Sequence, residues 1–396
     1  MAREEKPYRV YRGGRAKGKV PSVSSRTASA RRDGGGRRDD RSGSRVLYRG
    51  PGGRPDVGRR PRWGRRIAIG LVVLLLLVVV WAVASWFAFS SGVSDANKRL
   101  DPNAKSALTP QSGLLLSHST TILLLGTDNA RVGGREGDRH SDSILLLRTD
   151  PDHHRLYYLS IPRDLVVPIP GYSTQKVNAA FQIGGPALAI RTIRQLTGTD
   201  INHVVVVNFA DFKDLIDALG GITVNVPKPI RSNRFDCPYP TQARCAQWQG
   251  WRFAKGNQHM NGERALIYSR IRENMLDPSE TDVTRGARQQ QVIDAVTSRF
   301  TSPAVLARLP FNGSSVAKPL TTDLSASQLA QLGWVKFRSS SGSSIHCRLG
   351  GDFGGGGTGG PSEDNPATIA MFLGKSAPQP PTGQFNPGCV IGHTLQ

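Results

Sequence analysis

An uncharged stretch of 23 residues, "IAIGLVVLLLLVVVWAVASWFAF" at positions 67–89, constrains this chain more than any other feature. About 20 apolar residues in a helix are enough to cross the hydrocarbon core of a bilayer. A cleaved signal peptide has a shorter apolar core and a much shorter leader than the 66 residues that precede this stretch. The stretch therefore predicts a single transmembrane helix that is not removed.

The segment before this helix carries most of the positive charge. Residues 1–66 hold 21 of the 52 Lys and Arg residues and 6 of the 30 Asp and Glu residues, so about +15 of the net charge of +22 lies there. The segment is rich in Gly, Ser and Arg and has too few apolar residues to bury a core, which predicts a disordered tail. Because Lys and Arg accumulate on the cytoplasmic side of membrane helices, we expect the tail in the cytoplasm and the rest of the chain outside.

All four cysteines, Cys237, Cys245, Cys347 and Cys389, follow the apolar stretch. No two of them have the C-x-x-C spacing of a zinc site. An even number of cysteines in an oxidising compartment favours disulfides, most simply Cys237–Cys245 and Cys347–Cys389. Free buried thiols are the alternative.

The remaining sequence predicts one folded domain between a stalk and an appendage. Residues 90–118 are polar with scattered Pro and Gly, which is typical of a stalk. Residues 119–304 alternate apolar strand-like runs, such as "TTILLLGT" and "HVVVVNF", with amphipathic helical segments. This alternation predicts an α/β domain with a mostly mixed central sheet flanked by helices. Within it, 229–262 forms a long Cys-bearing excursion. Residues 305–396 are rich in Gly, Ser and Pro, and we expect a small, loosely built appendage.

Two aspartates lie at predicted strand ends. Asp128 follows the strand "TILLLG" and Asp142 precedes the strand "SILLL". Carboxylate oxygens at neighbouring strand ends suit a shared divalent ion of the magnesium type. Either residue could instead cap a turn, which Asp does well. Arg163, in "SIPRDL" after the third strand, could bind an anion or form an ordinary salt bridge near Asp164.

Arginines recur further along, in "RALIYSRIRENMLDPSETDVTRGARQQQ". Arg270 and Arg272 are two residues apart, so on an extended segment they would project from the same face. Arg285, Arg288 and Gln289 have the i, i+3, i+4 spacing of one helical stripe. With few acidic residues nearby, these arginines predict an external anion, and guanidinium groups match phosphate oxygens bidentately.

These motifs together resemble the LytR–CpsA–Psr family of cell-wall assembly proteins. The resemblance covers about residues 119–300 and rests on seven ordered segments: "ILLLGTD", "SDSILLL", "LSIPRDL", "QKVNAAF", "DALGGITV", "ALIYSRIR" and "DVTRGARQQQVI". It implies a membrane-anchored phosphotransferase. Such an enzyme would move a glycopolymer, with one phosphate, from a polyprenyl diphosphate carrier to a peptidoglycan hydroxyl, with membrane lipid around its anchor and no nucleic acid as partner.

The resemblance also implies residue roles. Asp128 and Asp142 would bind Mg²⁺ against the diphosphate, and Asp142 or Asp164 would take the proton of the attacking hydroxyl. The groups expected to hold the diphosphate oxygens are Arg163, Lys176, Arg270, Arg272, Arg285 and Gln289. One position departs from the family pattern: His140 stands where the family usually has Arg, two residues before the second metal-binding Asp. The adjacent Arg139 would point the other way on a strand.

Three other functions fit parts of the same sequence. A pyrophosphatase acting on the lipid-linked polymer would use the same groups with water as acceptor. A protein that binds the lipid carrier without catalysis would not need the whole set of Asp and Arg residues. A membrane-bound transcriptional attenuator would use the basic tail, but the tail has no helix-turn-helix pattern, and its composition suits anionic lipid headgroups equally well.

Overall fold

A computed structural model of the protein describes residues 63–129, 139–278, 280, 282–353, 359–383 and 385–392. The predicted disordered tail lies, up to residue 62, outside the described residues. The strands are β1 Thr121–Asn129, β2 Arg139–Asp150, β3 Arg155–Ser160, β4 Val166–Pro168, β5 Thr174–Lys176, β6 His203–Asn208, β7 Ile222–Val226, β8 Ile230–Arg231, β9 Arg252–Phe253, β10 Gly256–Met260, β11 Thr321–Thr322, β12 Ile345–Arg348 and β13 Gly388–Ile391. The helices are α1 Trp63–Lys98, α2 Pro102–Ala107, α3 Ala179–Thr197, α4 Phe209–Ala218, α5 Gln242–Gln247, α6 Gly262–Arg270, α7 Asp282–Phe300, α8 Pro303–Ala317, α9 Ala326–Arg338 and α10 Asn365–Phe372.

The centre of the fold is a seven-stranded mixed sheet with the order β11-β6-β1-β2-β3-β12-β13. β1 is antiparallel to β2 and parallel to β6, and β2 is antiparallel to β3. β1, β3 and β6 therefore run in the same direction, and their C-terminal ends lie at the same end of the sheet. The predicted α/β fold class with a mixed sheet is confirmed.

Side chains of the central strands alternate between two helical layers. In β2, Ile144 and Leu146 belong to the core cluster that contains Ile190 and Ile193 of α3. Their neighbours Leu145 and Leu147 point to the other face, where Val335 of α9 packs. Because both faces are covered, the strands are apolar throughout, as is typical of buried strands.

The chain after residue 304 belongs to this sheet, which differs from the predicted loose appendage. β12 pairs with β3 in parallel and β13 with β12 in antiparallel register, while β11 pairs with β6 at the opposite edge. Cys347 and Leu349 lie in the main core cluster. The Gly- and Pro-rich composition therefore reflects the connections around these short strands, which pair with distant parts of the chain.

The predicted stalk also differs from the structure, because most of it packs on the domain. α1 continues to Lys98, and its residues Val93 and Ala96 are 2% and 1% exposed. Leu100 and Ala104 then join the main core cluster. The part of α1 that precedes them is the predicted membrane span, with a mean hydropathy of 3.2 over 18 residues, none of which is buried.

Both predicted disulfides are present. Cys237 is bonded to Cys245 and Cys347 to Cys389, with sequence separations of 8 and 42 residues. The second bond joins directly paired residues of β12 and β13.

We expect the Cys347–Cys389 bond to contribute the larger share of stability, because it closes the longer loop. Loop-closure entropy gives about 4 kcal/mol for this bond and about 2.5 kcal/mol for Cys237–Cys245. Urea titrations of the double variants Cys347→Ala/Cys389→Ala and Cys237→Ala/Cys245→Ala measure both losses. A larger loss from the second double variant would contradict the expectation.

Candidate functional site

The candidate site lies at the end of the sheet that the C-terminal ends of β1, β3 and β6 form. Asp128 is the penultimate residue of β1, and the register pairs it with His140 of β2. On its other side β1 pairs with β6, and there Thr127 pairs with Asn208, the last residue of β6. Asp142 is the extra residue of a β-bulge, because Gly126 pairs with Ser143 while Thr127 already pairs with Ser141. β-Bulges recur next to functional sites.

The backbone thus brings the two predicted metal-binding residues to adjacent strands. The side chains of Asp128, Arg139, His140 and Asp142 lie outside the described part of the structure. Among the side chains that are described, no group of three or more His, Cys, Asp and Glu residues is placed to hold a metal ion. Two carboxylates on neighbouring strands form a donor set that fits a hard, oxygen-seeking cation.

A second group lies just after β3. It consists of Arg163 and Asp164, which follow that strand, and Lys176, the last residue of β5. Asp164 accepts a hydrogen bond from Nε of Arg163 at 3.3 Å and one from Nζ of Lys176 at 2.8 Å. The side chains of Arg163 and Asp164 are 15% and 20% exposed, whereas that of Lys176 is 45% exposed. Asp164 therefore fixes two cations side by side at the end of β3.

Burial alone would raise the pKa of Asp164. The hydrogen bond from Lys176 and the charge of Arg163 outweigh burial, so the pKa lies below its ordinary value. A carboxylate with a lowered pKa is a weaker proton acceptor. These contacts favour a positioning role for Asp164 over that of a general base.

We expect Asp164→Asn to lower the free energy of unfolding by about 1 kcal/mol at pH 7, since Lys176 and Arg163 lose their shared carboxylate. A depressed folded pKa contributes stability that is complete above the unfolded value of about 3.9. That stability is lost as the pH falls through the lower folded value. Urea titrations from pH 7 down to about 2 should therefore show the difference from the original protein narrowing with acid. Asp152→Asn, at an exposed position, is the control, and a difference independent of pH would contradict the expectation.

Arg270 lies at a helix end, and the prediction of an extended segment for Arg270 and Arg272 is wrong. α6 begins at the N-cap Asn261, whose side chain accepts from the backbone N–H of Arg264, and it ends at Arg270. The guanidinium of Arg270 lies 4.5 Å from the ring centroid of Phe209, the first residue of α4. Because Phe209 directly follows β6, this contact holds Arg270 at the end of the sheet where the last residues of β1 lie. Arg272 is exposed two residues later.

α7 carries the third group of predicted residues. Arg285 is 7% exposed, and Gln289 is half-buried one turn later. Between them, a Cβ added to Gly286 would lie 2.7 Å from Oγ of Ser160, the last residue of β3. This close approach places the first turns of α7 against the end of β3, near Arg163.

Arg288, on the same helical stripe, serves the fold. It is 4% exposed, forms an ion pair with Glu280 at 2.7 Å, and donates a hydrogen bond to the backbone carbonyl of Ile271. Sequence reasoning assumed that few acidic residues neutralise these arginines. For Arg288 that assumption is wrong, because Glu280 lies in the connection between α6 and α7.

Asp236 is a residue of this region that sequence reasoning missed. Burial raises its pKa, whereas the charges of Arg270, Arg272 and Arg288 act to lower it. Its Oδ2 atom is buried with no hydrogen-bond partner among the described residues. Asp236 adjoins the disulfide-bonded Cys237, so the excursion at 229–262 brings a carboxylate close to these arginines. The disulfide staple is the only sequence signal that could have directed attention to it.

The ends of β3 and α6 and the start of α7 thus bring Arg163, Arg270 and Arg285 to the end of the sheet where the backbones of Asp128 and Asp142 lie. This arrangement defines an α/β protein with a candidate anion site. The LytR_cpsA_psr family model matches residues 83–346, well over half of the chain. The chain therefore belongs to the LytR–CpsA–Psr family, as the motifs predicted.

Individual relatives agree with this assignment. The polyisoprenyl-teichoic acid–peptidoglycan teichoic acid transferase TagU of Bacillus cereus is 29% identical over 66% of this chain and 79% of its own length. The regulatory protein MsrR of Staphylococcus aureus is 30% identical over 65% of this chain and 70% of its own. The structure of TagT bound to LIIa-WTA superposes with a TM-score of 0.50 at 25% identity, covering 67% of this chain and 94% of TagT.

Proposed function

We propose that this protein is a membrane-anchored phosphotransferase that moves a glycopolymer from a polyprenyl diphosphate carrier to peptidoglycan. What supports the proposal is that Arg163 follows β3, Arg270 contacts Phe209 just after β6, and the α7 turn that carries Arg285 packs on the end of β3. The transferase activity in the name of the Bacillus cereus relative supports it. The apolar α1 and the basic segment before it support a cytoplasmic N-terminus and an outside domain.

In the proposed reaction, a peptidoglycan hydroxyl attacks the phosphorus atom that bears the polymer. A new P–O bond forms to the acceptor oxygen, and the bond from that phosphorus to the bridging oxygen of the diphosphate breaks. Polyprenyl monophosphate leaves with the bridging oxygen and its electron pair. The product is a phosphodiester between polymer and peptidoglycan.

The arginines would hold the non-bridging oxygens of the diphosphate and stabilise the charge that develops during transfer. Arg163 and Lys176 are oriented for this by Asp164, and Arg270 by stacking on Phe209. Gln289 and Arg285 would contact the same group from α7. A Mg²⁺ ion held by Asp128 and Asp142 would supply further positive charge next to the diphosphate.

The hydroxyl proton needs an acceptor. Asp164 is engaged by two cations and has a lowered pKa. We therefore assign proton removal to Asp142, through the carboxylate oxygen that the Mg²⁺ ion would leave free.

The test supplies the full-length protein in lipid vesicles with a radiolabelled lipid-linked glycopolymer, Mg²⁺ and purified peptidoglycan. Label covalently attached to peptidoglycan supports transfer. Free phosphorylated polymer would instead identify a pyrophosphatase with water as acceptor. Retained label without turnover would identify a carrier-binding protein, and the metal proposal fails if chelation with EDTA leaves the rate unchanged.

A further inference from the structure

α8 packs along α1 at the level of the predicted membrane span. Nε1 of Trp81 donates a hydrogen bond to the backbone carbonyl of Ala307 at 3.2 Å. Closer to the C-terminus of α1, a Cβ added to Gly313 would lie 2.9 Å from the backbone nitrogen of Phe89. One added to Gly92 would lie 2.6 Å from the backbone oxygen of Ser314. Small residues that allow such close approach are typical of helix pairs in membranes.

The contact with Trp81 fixes the depth of α8. Trp81 lies eight residues before the end of the uncharged stretch at residue 89, which is about 12 Å along a helix. The first two turns of α8 therefore run beside the apolar part of α1. The first buried residue of α1 is Ser85, so the free apolar run from Ile67 spans about 27 Å. That length is close to the roughly 30 Å hydrocarbon thickness of a bilayer.

The outer face of α8 is apolar and exposed. Phe311 is 83% exposed and Leu306 is 42% exposed, whereas Val305 and Val316 are buried on the opposite face. Arg308 lies between the two exposed residues in the sequence, but its guanidinium reaches back to the turn between α4 and β7, where a Cβ added to Gly220 would lie 3.8 Å from one of its nitrogens. A helix with exposed apolar side chains on its outer face is suited to the boundary between headgroups and acyl chains.

We propose that Pro303–Phe311 is embedded in the outer leaflet of the membrane. Leu306 and Phe311 enter the acyl-chain boundary. The domain then rests directly on the bilayer, and two helices instead of one fix its orientation. This inference depends on the proposed function only in that α1 must cross the membrane with the domain outside.

Lipid is favoured over a second copy of the chain as the occupant of this face. The face is continuous with α1, whose apolar side chains Leu75 to Val80 are 50–65% exposed and need the same environment. A lipid leaflet reaches both helices at once, because they already contact each other at Trp81.

The test places the photo-cross-linking residue benzoylphenylalanine at position 311 of the full-length protein, in vesicles of phosphatidylglycerol and phosphatidylethanolamine. Adducts are identified by mass spectrometry. We expect about tenfold more lipid adduct at position 311 than at position 172. Tyr172, in the connection between β4 and β5, is also aromatic and is 55% exposed. A third protein with the same residue at position 75 reports on α1 itself.

The outcomes separate the two proposals. Lipid adducts at 75 and 311 but few at 172 support the embedded α8. Adducts at 75 alone, equal adducts at 311 and 172, or protein–protein adducts at 311 would overturn it while leaving the anchor in place. An absence of lipid adducts at position 75 would show that α1 does not cross the membrane. It would overturn both the membrane anchor and the embedded α8. The cross-linking experiment does not require catalytic activity. Its result can therefore overturn the embedded α8 whatever the transfer assay shows.

Discussion

Arg272→Ala is expected to lower the rate of glycopolymer transfer by at least about 100-fold, the typical cost of removing one donor that stabilises transition-state charge. Arg272 is exposed and lies close enough to Asp236 to influence its pKa. Arg270 acts on the same carboxylate, so Arg272 belongs to the group of charges next to the proposed diphosphate site. Since an exposed side chain contributes little to folding, the free energy of unfolding should change by less than about 0.5 kcal/mol.

Two variants make this result specific. Arg155→Ala removes an exposed arginine from the start of β3, at the opposite end of that strand from Arg163, and should retain full transfer. Arg272→Lys keeps the charge but loses the two-pronged geometry, so it should recover only part of the rate. Comparing kcat and KM tells whether Arg272 acts mainly in the transition state. Unimpaired transfer by Arg272→Ala would remove this residue from the site.

The sequence predicted the strands of the site well because their signal is local. β1, β2 and β6 are apolar runs bounded by polar or turn residues, and each appears within two or three residues of its predicted position. Since strands of this kind are buried on both faces, composition alone identifies them. The two aspartates were predicted just outside these strands, but Asp128 lies one residue before the end of β1 and Asp142 three residues after the start of β2.

The errors share one physical origin, which is pairing between distant parts of the chain. Nothing near Ile345 or Gly388 shows that β12 and β13 extend the sheet beyond β3, because strand pairing is decided by a partner almost 200 residues away. The segment "ALIYSRIR" suits a strand or a helix by composition. Its capping by Asn261 and its packing against α4 decide for the helix, and only the fold reveals the second of these.

The same distinction separates two arginines that look equivalent in the sequence. Arg285 and Arg288 share one stripe of α7, yet Arg288 is held by Glu280 and by the backbone of Ile271. Sequence spacing reports that both lie on one face. It does not report that the connection after α6 brings Glu280 to Arg288.

Glu280→Ala is expected to lower the free energy of unfolding by about 3–5 kcal/mol, because removing one member of a buried ion pair leaves the other charge without its partner. Glu280 accepts from Nη1 of Arg288 at 2.7 Å and from Nδ2 of Asn274 at 3.3 Å. The side chains of Glu280 and Arg288 are only 13% and 5% exposed, so water replaces little of the lost interaction. Urea titration of the detergent-solubilised protein measures the change.

Two further variants test the cause. Glu363→Ala, at an exposed glutamate, should stay within about 0.5 kcal/mol of the original protein. The double variant Glu280→Ala/Arg288→Met should recover much of the lost stability, since an apolar side chain of similar length removes the stranded charge. If Glu280→Ala proved as stable as the original, Arg288 would not depend on the pair, and its charge would again be available to the diphosphate. The stability of this one variant therefore tests whether Glu280 holds Arg288 in the fold.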